Sequence, residues 1–432
     1  MSAFGGKVVD KMKVRTAARA RGRAGRRKAG GRPLACVLGD TDLIRPLGLA
    51  GIRCAPLARP DSPKAHSRFV DARVAWADNW DQTDRMLQNL LDFAATVTEP
   101  PILFFQNDGD LLFVSRHRSA LAARFRFTIV DRELVEALVD KSRFVELAHR
   151  HALPIPATSV LRATGEPRAP DLPSDYPVVI KPLTRRDAVW RPLAGLAKAL
   201  VVESPSAMAD VWPRLVAAEQ DVVVQELIED GEERVESYHA YVDDEGAFAG
   251  DFTGRKIRTL PTRFGQTTAL EITDTSDVRE LGRRCIDALA LRGVVKIDFK
   301  RAPSGRLFLL EVNPRFNLWH LPGAVAGVNL PALVYADLAG APRPPTGRAR
   351  AGVRWSHPSR DLAAARLTGM STFRWLAWQA RCETRHMVAA DDPMPFLRGF
   401  LWGRANRRLR RYISASALLK RVRRVKTWPT DS

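Results

Sequence analysis

The stretch 292–316, RGVVKIDFKRAPSGRLFLLEVNPRF, constrains the fold more than any other part of the chain. Two apolar runs flank Pro303-Ser304-Gly305-Arg306, which is turn chemistry, so the segment reads as an antiparallel hairpin. With the turn at 303–306, Asp298 falls opposite Glu311 and Lys296 opposite Asn313. Side chains alternate along a strand. Asp298, Glu311 and Asn313 therefore share one face, and Ile297, Phe299, Leu310 and Val312 point the other way, into the core. Two carboxylates directly opposed on a sheet destabilise it. A divalent cation between them reverses that effect, and three hard oxygen ligands suit Mg²⁺. An Mg²⁺ ion held by so few protein groups brings phosphate with it. The competing account makes Glu311 an ordinary ion pair with Lys296 or Lys300. It leaves unexplained why Asp298, Glu311 and Asn313 converge just ahead of Pro314-Arg315.

Upstream, RPLACVLGD (32–40), GIRCAPLA (51–58), RFVDARVAW (68–76) and PILFFQND (101–108) read as short strands. The segment 81–97 carries Met86, Leu87, Leu90, Leu91 and Phe93 at helical spacing. Strands alternating with helices predict a small parallel α/β domain. Helices are expected from Asp131 to His151, then strands at YPVVIKPL (176–183) and DVVVQELIEDGEE (221–233). A long β region over about 235–272 and a helix around 276–291 lead into the hairpin. APRPPTG (341–347) reads as a linker, and the chain beyond it is expected to be helical and is rich in Trp and Arg.

These pieces resemble the ATP-grasp superfamily, in its carboxylate–amine ligase-like (predicted ATP-dependent carboligase) branch. The matching residues come in the family's order: Lys141 in a helix, VVIKP (178–182), QELI (225–228), RK (255–256), GVVKIDFK with LFLLEVNPRFN, and GVNLPALVYADLAG (327–340). The resemblance covers about half the chain. The implied organisation is a basic tail (1–33), an N-terminal α/β domain (34–130), an ATP-grasp domain of two α+β subdomains (131–340), and a linker with a basic helical region (341–432).

By the same resemblance, ATP binds between the subdomains. Lys141 and Lys181 contact its phosphates, and Gln225, Glu226, Leu227 and Ile228 form the adenine hinge. Glu232 or Glu233 takes the ribose. Asp298, Glu311 and Asn313 hold one or two Mg²⁺ ions, for which Mn²⁺ can substitute. Arg315 stabilises the transferring phosphoryl group, and Arg255 and Lys256 bind the γ-phosphate or the acid substrate. The implied reaction activates a small-molecule carboxylate as an acyl phosphate and transfers it to an amine, releasing ADP and phosphate. An ATP-grasp kinase or carboxylase-type enzyme is the alternative within the fold. A degenerate ATP-binding module docking on membrane or RNA is the alternative outside that chemistry. One departure from the family is the phosphate-covering loop: 183–202 holds one glycine, Gly195. Either Arg185, Arg186 or Lys198 supplies its donors, or the loop is merely mobile.

Charge enters through its distribution. The formal net charge is +20. Residues 1–33 and 398–432 each carry eleven Lys/Arg against one Asp, which leaves a neutral body between two basic tails. Nucleic-acid binding would rest on the tails alone, without a recognition motif to support it. The C-terminal tail, with Trp402 among its arginines, is compatible with peripheral contact on an anionic membrane, while Trp375 and Trp378 are expected to pack inward. The four cysteines show no C-x-x-C spacing, and no apolar run reaches the ~18 residues that span a bilayer. A cytoplasmic protein is expected, on the inner face of the membrane if peripheral; its oligomeric state is open.

Overall fold

The computed structural model describes residues 31–163, 172, 175–183, 187–229 and 231–402. The basic N-terminal tail up to residue 30, Arg185, Arg186, the side chains of Glu232 and Trp402, and the basic segment from 403 onward lie outside the described residues.

Strands β1 (Ala35–Leu38), β2 (Cys54–Ala58), β3 (Val74–Ala75) and β4 (Ile102–Phe105) form a parallel sheet in the order β3-β2-β1-β4. Their short, continuously apolar sequences suit strands covered on both faces. Leu38, Leu103 and Phe105 enter one core with Ile297, Phe299 and Val312. Val37 and Phe104 enter another with Trp319, Leu333 and Trp355. The sheet is thus clamped against the hairpin, which brings the loop after β4 to the hairpin's mouth.

Strands β5 (Thr158–Leu161), β6 (Val178–Pro182), β7 (Leu200–Val202) and β8 (Val222–Glu226) make an antiparallel sheet in the order β5-β8-β6-β7. It has its own small core around Ile180, Trp190, Trp212 and Val224. A third sheet holds β9 (Val235–Val242), β10 (Phe248–Leu260), β11 (Gln266–Thr273), β12 (Gly293–Arg301) and β13 (Leu307–Asn313). Two short strands, β14 (Arg354–Ser356) and β15 (Thr384–Arg385), extend it to the order β13-β12-β9-β10-β11-β14-β15. The segment after residue 341 therefore contributes strands as well as helices to the fold.

The hairpin register pairs Lys296 with Asn313, Ile297 with Val312 and Asp298 with Glu311, as expected. Beyond that point a bulge shifts it, so that Phe299 faces Leu309. Leu310 is the extra residue, and the expectation that it enters the core is corrected: Leu309 takes that place at 0% exposure, and Leu310 turns to the face of Glu311. A bulge re-aims one side chain without altering the strands' pairing ahead of it.

The helices Pro358–Leu367 and Thr372–Ala380 fasten onto β10 and β11 through Asp361. Its carboxylate accepts from Arg258 Nε and Nη2 at 2.8 Å each, Thr268 Oγ1 at 3.1 Å, Trp375 Nε1 at 2.9 Å and Gln379 Nε2 at 3.0 Å. Trp378 lies under the guanidinium groups of Arg258 and Arg354. Trp375 and Trp378 pack inward as expected, while Phe373 and Leu376 on the outer side are exposed. No helix among the described residues is long and apolar enough to cross a membrane.

Two fully buried histidines behind the hairpin make the fold acid-sensitive. His239 on β9 stacks on Phe252, and His320 lies 6.2 Å from it; among the described residues neither ring has a hydrogen-bond partner. Burial pushes the His320 imidazole down to about 3 and holds His239 well below its ordinary value. A base whose affinity for protons falls on folding is protonated more readily in the unfolded chain. Stability is then fully present above the unfolded value of about 6.5 and is lost as pH falls from there toward about 3. Both histidines act in this direction, so their losses add as the pH falls. Urea midpoints measured between pH 7 and 4.5 should fall accordingly, and His320→Phe should flatten the slope.

Candidate active site

Two cavities meet at the mouth of the hairpin. The first, about 550 Å³, lies between the β5–β8 sheet and the β12–β13 hairpin. The second, about 780 Å³, lies between the loops of the parallel sheet and strands β11 and β14. Asp108, Lys198, Lys256, Asp298, Glu311 and Arg315 line both.

The first cavity has an apolar part and a cationic part. Val145, Ile155, Val179, Val223, Leu227, Ile228 and Leu310 supply flat apolar walls. Gln225 and Glu226 end β8 at the same place. Gln225 is held between Lys181 Nζ, 2.8 Å from its Oε1, and Thr158 Oγ1, which accepts from its Nε2 at 2.8 Å. Glu226 accepts from the Ala157 amide at 3.3 Å. Lys141 opens the helix Lys141–Arg150, whose first turn is capped by Asp140. Its Nζ reaches the Leu183 carbonyl at 3.4 Å, beside the end of β6 where Lys181 sits. Lys198, the lysine of the glycine-poor loop, enters both cavities. Desolvation and then repulsion from Lys256 push its ammonium down to about 8, against the pull of Glu311.

At the junction, Asp298 is 2% exposed and its two oxygens accept from Ser237 Oγ and Lys296 Nζ. Lys296 Nζ also lies 3.6 Å from Glu311 Oε1. Lys296 is thus the counter-charge of both acids. Lys300, the other lysine on this face, donates to the Gly231 carbonyl instead and lines the first cavity. Burial opposes the charged form of Glu311, but the ammonium groups of Lys296 and Lys198 outweigh it and hold the carboxyl well below the usual range. Arg315 is fixed by four bonds: Nε to Asp108 Oδ1 at 2.6 Å, Nη1 to the Gln106 carbonyl at 2.8 Å and the Phe316 carbonyl at 3.3 Å, and Nη2 to Asn313 Oδ1 at 3.0 Å. The parallel sheet therefore sets the position of the hairpin's arginine.

Three expected site residues sit differently. Arg255 lines neither cavity: it faces Glu271 across the β10–β11 pair, with Nη2 2.8 Å from Oε2. Neighbouring residues on a strand point to opposite faces, so only Lys256 of the RK pair can enter the cleft. Glu233 also lies off the cavity walls, its carboxylate folded over Gly231, where a Cβ would come within 2.2 Å of it. Asn313 is buried behind Arg315, whose guanidinium takes its Oδ1. Ser237 and Asp108 are contacts of the expected site residues that sequence reasoning missed, and Lys300 was weighed only as a partner of Glu311. Each owes its place to pairing across strands or to the clamped parallel sheet, neither of which leaves a local signal.

The residues present fit a divalent ion. Among the described residues no group of three or more His, Cys, Asp or Glu could hold a metal by itself. Asp298 and Glu311 share the Lys296 ammonium, Lys198 and Lys256 also act on Glu311, and the Asn313 carbonyl oxygen retains a second lone pair. That donor set suits a hard ion which takes its remaining ligands from phosphate and water.

An antiparallel lobe and a hairpin enclosing an apolar and cationic cleft, with facing acids at its end, give the chain an ATP-grasp fold, similar to that of carboxylate–amine ligases. No family model matches the chain. It is 22% identical over 288 residues to a D-aspartate ligase of Enterococcus faecium (strain Aus0004), covering 64% of this chain and 68% of that protein. It is 24% identical over 219 residues to a D-alanine–D-alanine ligase of Ectopseudomonas mendocina (strain ymp), covering 46% of this chain and 64%, less than two thirds, of that protein. Among solved structures, the ADP complex of N5-carboxyaminoimidazole ribonucleotide synthetase superposes with a TM-score of 0.55 at 14% identity, over 76% of this chain and 82% of that one.

Proposed function

We propose that the chain is an ATP- and Mg²⁺-dependent ligase that activates a small-molecule carboxylate as an acyl phosphate and joins it to an amine. The observation that carries this reading is the meeting of two cavities at the Asp298–Glu311 pair: one suits a nucleotide, the other is polar and roomy enough for the reactants. A reaction between γ-phosphate and carboxylate needs such a junction. The names of the D-aspartate and D-alanine–D-alanine ligases support amino acids as the reactant class.

The apolar walls hold the adenine, with Gln225–Ile228 at its edge. Lys141, Lys181 and Lys198 neutralise the phosphates as point charges, which suits ammonium groups. Asp298, Glu311 and Asn313 would hold Mg²⁺, which supplies charge neutralisation on the β- and γ-phosphates when bound. Arg315, pinned by Asp108 and the Gln106 carbonyl, is pre-positioned at the boundary of the cavities and stabilises charge on the phosphoryl group. Lys256 orients the acid. The carboxylate oxygen attacks the γ-phosphorus and ADP leaves; the amine then attacks the acyl carbon, and phosphate leaves with loss of a proton. Catalysis of this kind is mainly positioning and electrostatics.

A second reading has one observation in its favour. Lys296 already counters both acids, as it would in a nucleotide-binding module without turnover. An ADP-release screen over pairs of amino acids and amines separates the two. Amide product with stoichiometric ADP supports the ligase, a stable phosphorylated or carboxylated product replaces it with the kinase or carboxylase alternative, and tight ATP binding with no ADP from any pair supports the module.

A further inference from the structure

The second cavity has a cationic end that the reaction centre does not use. Arg360, in the first turn of the helix Pro358–Leu367, lines this cavity half-buried. Its Nη1 donates to Gln266 Oε1 at 2.5 Å, and among the described residues it has no carboxylate partner. This sets it apart from the other arginine of the cavity, Arg315, which is paired with Asp108. Beside it His386 bonds Asp42 at 2.6 Å through Nδ1 and stacks at 4.6 Å on His357. Burial opposes a charged His386, but the Asp42 carboxylate outweighs it and raises the ring to about 9. Burial and the charge of His386 lower His357 to about 4, so His357 stays neutral. His386 pairs with Asp42, and Asp40 on the same cavity wall also acts on His386; neither carboxylate is in contact with Arg360. An independent sign is Asn317, 6% exposed on the wall of the same cavity. Its Oδ1 is taken by the Trp319 amide at 3.0 Å, and its Nδ2 donor has no partner among the described residues.

A half-buried guanidinium without an acid and a buried amide donor without an acceptor both suit an anion. We infer that Arg360, with Gln266 and Asn317, forms a subsite that anchors a carboxylate of the substrate other than the one that reacts. The substrate class is then a dicarboxylic acid, including dicarboxylic amino acids, rather than a simple monocarboxylate. This rests on the ligase reading for the identity of the cavity's occupant, and its geometry comes from residues 266, 317 and 360 alone.

The test pairs binding with turnover. Titration calorimetry with the full chain, ATP analogue and Mg²⁺ would compare aspartate and glutamate, in both enantiomers, with alanine on the wild type, Arg360→Gln and Arg360→Lys. At least one dicarboxylate should bind the wild type about tenfold or more tightly than alanine, lose that advantage in Arg360→Gln and recover part of it in Arg360→Lys, because a charge-assisted contact is removed and partly restored. In ADP release the same change should raise KM for the dicarboxylate far more than it lowers kcat. Nucleotide affinity should not move, which shows that the variant is folded. Equal binding of the dicarboxylate to wild type and Arg360→Gln, or no dicarboxylate binding to the wild type, overturns the subsite and leaves the ligase reading standing. Arg360-dependent binding with no ADP release from any acid and amine pair would retain the subsite and overturn the ligase reading.

Discussion

A variant carrying Asp298→Asn and Glu311→Gln together is expected to release ADP at least about a thousandfold more slowly than the parent, the scale of losing charge stabilisation at a phosphoryl-transfer centre. Both substitutions keep side-chain volume, and the core behind the hairpin, Ile297, Phe299, Leu309 and Val312, is untouched. The loss should therefore appear in kcat. Lys296 gives the prediction a second edge. It is buried at 8% exposure and sits between the two acids, so removing both leaves its ammonium without its counter-charges and should lower the urea midpoint as well. A single change at Glu311, the more exposed of the two, should be milder than a change at Asp298, which also holds Ser237. Steady-state ADP release by coupled assay, with both single variants and the double, checks the order.

The largest stability effect is expected at Asp361. Asp361→Ala removes the acceptor of Arg258, Thr268, Trp375 and Gln379 together and leaves the Arg258 guanidinium buried at 7% exposure without its acid. Breaking a buried pair by removing one partner costs about 3–5 kcal/mol. Replacing both, Arg258→Met with Asp361→Leu, should recover part of the loss, because the uncompensated charge is then gone. Urea unfolding of the single and double variants measures the difference. The helix that carries Asp361 also carries Arg360, so Asp361→Ala should weaken acid binding in the second cavity as well.

The hairpin was legible because three independent signals agreed in it. The turn residues set the register, the period of two assigned the faces, and the cost of facing acids called for a counter-charge, which Lys296 supplies in the fold. The bulge at Leu310 was not legible, since one extra residue in an apolar run leaves no compositional mark. The pair Arg255-Lys256 looked like one functional unit in the sequence, yet alternation on β10 sends the two side chains to opposite faces. Lys296 and Lys300 looked equivalent as partners of Glu311, and only the fold sends Lys300 to Gly231. The parallel sheet was visible from its apolar runs, but its role in holding Arg315 through Asp108 depends on contacts between residues some two hundred positions apart. The cationic end of the second cavity is less legible still. Asp42, Gln266, Asn317, Arg360 and His386 come from five separate elements or loops, and no local pattern joins them.

The account turns on the acid pair acting together with a nucleotide-borne divalent ion. Its most direct test is the Mg²⁺ dependence of ATP-analogue affinity, measured by equilibrium titration on the wild type and on the Asp298→Asn, Glu311→Gln variant. The prediction is that Mg²⁺ tightens binding to the wild type about tenfold or more, a coupling of about 1.4 kcal/mol, and does nothing for the variant, whose metal-free affinity stays close to that of the parent. An equal Mg²⁺ enhancement in both proteins would contradict the assignment of Asp298 and Glu311, and with it the proposed chemistry at the junction of the two cavities.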